Sequence, residues 1–241
     1  INSYHVDMPW VHMQEEGIKG VLGGYPNASL YFDYMDTKRN LGKDYLEELY
    51  KLYTYKYANK KFDAVIVTDD VAYQFVLQHQ KQLFPDTSIV FCGVNFFDES
   101  QLAGNPWITG VIEVVDMEKT LKLALELHPQ VKRIVMINDD TQVGKTNQLL
   151  LEKIRPSFEP KIEFIQFGKM TMGEILGQVA TLDKDTLILL MTWNVDQEQK
   201  VFSYEESSDL ISARSSVPIY ATWDFYLGHG VVGGMMTSGY Q

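Results

Sequence analysis

Ala64-Val65-Ile66-Val67-Thr68-Asp69-Asp70 is a short apolar run that ends in small polar residues. Ile89-Val90-Phe91-Cys92-Gly93-Val94-Asn95 repeats the pattern after one helical stretch, Val71 to Phe84. Unbroken runs of β-branched and aromatic residues suit strands covered on both faces, and such strands belong to parallel sheets flanked by helices. The alternation continues outward. Upstream, Asn2-Ser3-Tyr4-His5 reads as the tail of a strand, and a helix opens at Pro9 with Val11, Ile18, Val21 and Leu22 on its apolar side and stops at Gly23-Gly24-Tyr25-Pro26. Leu30 to Met35 alternates as a strand should, and Asp44 through Ala58 repeats Leu and Tyr at helical spacing. The first unit is therefore expected to hold four strands and three helices.

Downstream, a stretch rich in turn formers, Asp98 to Pro106, marks the expected boundary. Ile108-Thr109-Gly110-Val111-Ile112-Glu113 is read as the opening of a second unit. Helix Met117 to Leu127, strand Arg133 to Ile137, helix Val143 to Ile154, strand Ile162 to Phe167, helix Thr171 to Leu182, strand Leu187 to Met191, helix Glu205 to Ser212 and strand Ile219 to Thr222 continue it. The expected domains are residues 1–107 and 108–230, with a strand at about 231–241 returning to the first lobe past Gly228, Gly230, Gly233 and Gly234. Glycine there suits a tight or flexible passage, because it tolerates dihedrals closed to other residues. The fold class is α/β, with two Rossmann-like lobes.

In open parallel sheets ligands lie outside the carboxyl ends of the strands. The residues at those ends are the candidates for function: Tyr4, His5, Trp10, Asp36, Asp70 and Asn95 in the first half, and Asn138, Asp139, Trp193, Asn194, Trp223 and Asp224 in the second. Aromatic walls with a few fixed polar groups suit a small organic molecule. The surplus of carboxylates favours an amine or an amino acid's ammonium, while Lys38 and Arg39 could meet a carboxylate. Expected partners are thus an amino acid, an amine or a carboxylate, held in a cleft between the lobes.

The rest of the composition narrows the function by exclusion. The 32 acidic and 21 basic residues give a net charge of -11, which disfavours nucleic acid and anionic membrane surfaces as partners. Glu15-Glu16, Glu47-Glu48 and Glu205-Glu206 are read as solvated helix faces. Cys92 is the single cysteine, so no intrachain disulfide forms, and its place at a strand end suits an inert buried thiol. The five histidines, His5, His12, His79, His128 and His229, lack metal-ligand spacing, so no metal is expected. Gly144-Lys145-Thr146 resembles the end of a phosphate-binding loop, but Asp139 stands where the motif needs glycine. No dinucleotide fingerprint, nucleophile elbow or catalytic carboxylate pair is present, and one of Asp69 and Asp70 is expected to cap the following helix. We expect neither a cofactor nor an enzymatic activity. No apolar run approaches the ~18 residues of a membrane span.

The chain resembles the substrate-binding proteins of ABC transporters, especially the version used as an extracytoplasmic sensor in bacterial signalling proteins. The resemblance is carried in order by Asn2-Ser3-Tyr4-His5 with Pro9-Trp10, Tyr34-Met35-Asp36-Thr37-Lys38-Arg39, Val67-Thr68-Asp69-Asp70 and Ile89 to Asn95. In the second half it continues through Thr109-Gly110-Val111-Ile112-Glu113, Leu127-His128-Pro129, Asp139-Asp140-Thr141-Gln142-Val143-Gly144, Trp223-Asp224-Phe225 and Gly233-Gly234. It implies a type I periplasmic-binding fold whose lobes close on a ligand. The chain starts at Ile1 without an initiator Met, and both ends read as cut from a longer, membrane-anchored protein such as a sensor histidine kinase or diguanylate cyclase. The expected partners then include downstream signalling domains, with the oligomeric state open and a dimer of the full-length protein one option. The expected location is the periplasmic or extracellular face of the membrane. The alternative reading is the solute receptor of an ABC importer.

Overall fold

Parallel strands alternate with helices through the computed structural model, which describes residues 1–40, 42–95, 97–102 and 104–240, the side chains of Gln101 and Gln142 left aside. The chain divides into two compact units, Ile1–Val114 rejoined by the residues from Gly239, and Val115–Ser238.

The first unit contains helices α1 (Pro9–Leu22), α2 (Lys43–Tyr57) and α3 (Asp69–Leu83) and strands β1 (Ala64–Thr68), β2 (Ser88–Val94) and β3 (Ile108–Ile112). The strands form a parallel sheet in the order β1-β2-β3. Val65, Val67, Ile89 and Phe91 are buried with Ala72, Tyr73 and Val76 of α3 and with Tyr53 and Tyr57 of α2. Each such side chain contributes roughly 1.5–3 kcal/mol through burial. Edge-on aromatic contacts order this layer, as in Tyr53 against Phe75 with ring centres 5.8 Å apart. β3 can approach β2 closely because position 110 is glycine; a Cβ there would lie 2.2 Å from the Phe91 carbonyl oxygen.

The second unit contains α4 (Met117–Leu127), β4 (Arg133–Ile137), α5 (Gln142–Ile154), β5 (Glu163–Phe167), α6 (Met172–Val179), β6 (Thr186–Leu190), α7 (Tyr204–Ser212) and β7 (Ile219–Ala221). Its parallel sheet has the order β5-β4-β6-β7, so the connection from β5 to β6 crosses β4. Every residue of β6 is buried, as the unbroken Thr186-Leu187-Ile188-Leu189-Leu190 run requires of a central strand covered on both faces. Helix starts are sealed by side chains: Asp116, Thr141, Thr171 and Ser203 each accept from a backbone N–H of the first turn, and Thr171 with Glu174 forms a reciprocal capping box.

Several sequence expectations change. Residues 108–112, expected to open the second lobe, pair with β2 in the first unit's sheet. The stretch around residue 233, expected to return to the first lobe, is bridged to the second unit instead, Gly233 to Tyr220 and Thr237 to Trp223. The expected strand Leu30 to Met35 shrinks to a single bridge from Tyr34 to Asn2, and Asn2 is bridged on its other side to Thr68. Neither aspartate caps α3 by its side chain. The helix begins at Asp69 itself, behind Thr68. Glu15, read as solvated, is buried and accepts from the Tyr34 hydroxyl and, at 2.6 Å, from Lys19 Nζ. No helix among the described residues is long and apolar enough to cross a membrane.

Candidate ligand-binding surfaces

In the first unit the chain leaves β1 at Thr68 and turns at once into α3, with Asp69 in the left-handed region at φ 66°. Asp69 is buried, and its Oδ1 accepts from Trp10 Nε1 at 2.8 Å and Gln14 Nε2 at 3.4 Å. Burial pushes its carboxyl up to about 8, against the opposing hydrogen bond from Trp10 and with the help of the Glu113 and Asp70 charges. Asp70 has different partners. Its Oδ1 accepts from the Asn95 N–H at 3.1 Å, and the Asn95 amide spans Asp70 Oδ2 at 3.5 Å and Glu113 Oε2 at 3.1 Å. The ends of β1, β2 and β3 are joined by this row.

A second group forms where the chain passes Asn2. His5 Nδ1 lies 3.5 Å from Asp36 Oδ1, and Asp36 is left-handed at φ 50°, held by the Asn40 amide. The His5 ring is kept below its usual range, first by burial and then by the Arg39 guanidinium. Tyr4 is buried, with Lys38 Nζ 4.9 Å from its ring centre. The first-half candidates thus fall into two clusters, Tyr4-His5-Asp36 and Trp10-Asp70-Asn95, the latter resting on Asp69.

In the second unit Asp139 follows β4 and is saturated. Its Oδ1 accepts from the Thr141 N–H and hydroxyl and from Thr192 Oγ1, and its Oδ2 from the Asn194 N–H at 2.9 Å. Asn138 is equally engaged, donating to the Gly144 carbonyl at 2.7 Å and accepting from Asn147 and Thr192. The Asn194 amide donates to the Phe202 carbonyl. These three polar side chains fasten the ends of β4 and β6 together.

Trp193 and Asp224 behave differently. Each lies three residues past the paired Leu190 and Ala221. Trp193 is fully buried, yet its indole N–H has no hydrogen-bond partner among the described residues, and neither has the buried Oδ1 of Asp224. Such atoms call for an explanation, of which a bound water or ligand is one; the Tyr53 and Tyr73 hydroxyls in the first unit's core share this state. Trp223 is buried and stacks on Phe225, ring centres 6.0 Å apart.

Concavities lie within single units among the described residues. One of about 410 Å³ in the second unit opens beside the ends of β4 and β5, among Asn138, Asp139, Lys145, Gln148, Gln166 and Lys169. A smaller one of about 160 Å³ in the first unit runs along β1, among Phe32, Tyr57, Phe62 and Ile66, and includes none of the candidates. Among the described residues no cluster of three or more histidine, cysteine or acidic side chains could hold a metal ion. Sequence reading missed Gln14 and Asn147, which sit inside α1 and α5 and carried no local signal, whereas Glu113 and Thr141 stood in the motif stretches that it quoted.

Neither a protein-family model nor a curated protein matches the chain. Solved structures do. A ligand-free, open substrate binding protein with adhesive properties from Clostridium difficile aligns at a TM-score of 0.62 and 15% identity, over 92% of this chain and 73% of that one. A periplasmic sugar binding protein from Legionella pneumophila aligns at 0.61 and 14%, over 100% and 89%. The fold is that of the periplasmic binding proteins. An ABC domain from Streptococcus pneumonia, solved in complex with L-Trp, shares this periplasmic-binding fold at a TM-score of 0.59 and 14% identity, over 97% and 76%. At such identities the likeness is one of fold: α/β, parallel sheets, two units, the type I architecture expected from the sequence.

Proposed function

We propose that the chain is a binding domain for a small organic molecule, an amino acid, amine or carboxylate, held between two lobes that close on it. The observation that carries this reading is the pair of unsatisfied buried groups, Trp193 Nε1–H and Asp224 Oδ1, at the carboxyl end of a periplasmic-binding sheet. Aromatic and carboxylate side chains at the ends of both sheets support it, as do neighbours of the same fold whose names describe substrate, sugar and L-Trp binding. A ligand moves a two-state equilibrium only by its differential affinity for the two forms, and a switch from 1:99 to 99:1 needs about 5.5 kcal/mol. Contacts from both lobes would supply it.

We assign the domain to the extracytoplasmic part of a bacterial transmembrane signalling protein, on the ordered motifs from Asn2-Ser3-Tyr4-His5 to Gly233-Gly234, with a histidine kinase as the first expectation for the parent. A receptor of an ABC importer is the second reading, favoured by the descriptions of the structural neighbours. Native mass spectrometry of the purified domain tests the binding reading. A small-molecule adduct released on denaturation is the expected result. Absence of an adduct, followed by no thermal shift with amino acids, amines or carboxylates, would count against it. Ligand-dependent autophosphorylation of the full-length protein separates sensor from importer.

A further inference from the structure

Asp69 is buried, and the donors that reach its carboxylate are neutral. From α1 it meets Trp10 Nε1 and Gln14 Nε2, both on Oδ1. Its Oδ2 is buried with no hydrogen-bond partner among the described residues, and so is Gln14 Oε1. From β2 it faces Gly93, where φ is +68° and an added Cβ would stand 3.0 Å from Oδ1, and near it lies the Cys92 thiol, itself pushed up to about 12 by burial and the Asp69 charge. Thr68 adds a hydroxyl, and the charged groups acting on Asp69 are the carboxylates of Asp70 on α3 and Glu113 after β3.

An ionised carboxylate in this setting would be doubly penalised, by the loss of water around Oδ2 and by two neighbouring negative charges. Protonation removes the charge on which both penalties act. The left-handed backbone at Asp69 and the glycine at 93 are what let the carboxyl sit this deep.

We propose that Asp69 is a proton-binding site buried in the first unit, its carboxyl held as the neutral acid that fixes Trp10 and Gln14 of α1 to the start of α3. The site does not depend on the ligand reading, although it sets Trp10, one of the candidate binding residues.

Carbon-13 NMR of the chain labelled at aspartate Cγ tests this directly. One resonance, missing from the Asp69→Asn spectrum, is expected to keep the chemical shift of a protonated acid up to a midpoint near pH 8. Trp10→Phe removes a donor that favours the anion, so the midpoint should move upward. Should Asp69→Asn fail to fold, the resonance is assigned in the wild-type chain through the Asp69 β-protons. Titration of every aspartate below pH 5 overturns the proposal, and a midpoint unmoved by Trp10→Phe overturns the part given to that hydrogen bond.

Discussion

Asp139 Oδ2 accepts a hydrogen bond from the backbone N–H of Asn194 at 2.9 Å, joining the chain just past β4 to the chain just past β6. The same carboxylate gathers Thr141 and Thr192 on Oδ1. A residue that reads in the sequence as a ligand contact thus fastens the ends of β4 and β6 to each other. Replacing it by Asn puts an NH2 group opposite a donor. Asp139→Asn should destabilise the second unit by about 1–3 kcal/mol, read as a lower urea midpoint.

Trp193 and Asp224 should show the reverse balance. Trp193→Phe removes an unpartnered N–H, which offsets part of the cost of the smaller ring. Thermal midpoints of Trp193→Phe and Asp224→Asn are expected near that of the parent, while affinity for whichever molecule co-purifies falls roughly tenfold, the effect of losing about 1.4 kcal/mol of binding. Unchanged affinity in both variants, measured by titration calorimetry, would remove these residues from the site.

The capping box at α6 gives a purely structural control. Thr171 Oγ1 accepts from the Glu174 N–H at 3.2 Å, and Glu174 Oε2 accepts from the Thr171 N–H at 2.7 Å. Thr171→Ala should cost about 0.5–2 kcal/mol, measured by denaturant unfolding, with ligand affinity unaltered.

Cys92 should be chemically silent. Burial pushes its thiol up to about 12, and the thiolate is the reacting form. Labelling by a disulfide reagent at pH 8 is expected to be slow in the folded chain and fast in urea. Rapid stoichiometric labelling of the folded chain would contradict the desolvation of this half-buried thiol.

Stability should depend on pH through Asp69. Its folded-state carboxyl, at about 8, lies above the ordinary value of 3.8 that it has in the unfolded chain, so the folded form carries an extra proton between these limits. The contribution is fully present below about pH 4, declines by up to about tenfold in the unfolding constant per pH unit, and is gone above about pH 8. Relative to Asp69→Asn, the parent should therefore lose stability from pH 5 to pH 8 and level off beyond. Parallel profiles of the two proteins in urea would refute the assignment.

Much of the architecture was legible because it is local. Thr186-Leu187-Ile188-Leu189-Leu190 has too many consecutive apolar residues for a surface strand, and β6 is buried at every position. The helix ends at Thr141, Thr171 and Ser203 follow from one polar residue ahead of an apolar period. Leu30 to Met35 misled because alternation shows only that a segment could pair; here Tyr34 alone is bridged, to Asn2.

The sequence by itself determined most of the strands and helices, that the strands are parallel, and which side chains stand at their carboxyl ends. Tertiary structure decided what those side chains are free to do. Asp139 and Asn138 were satisfied by residues as distant as Thr192 and Asn194, while Trp193 and Asp224 were left with unsatisfied atoms. Glu15 was drawn inside by Tyr34, and Asp69 was buried by Trp10 from another helix. Apolar periodicity is written over neighbouring residues, whereas desolvation and hydrogen-bond satisfaction depend on partners tens of residues away, brought near only when the sheets close.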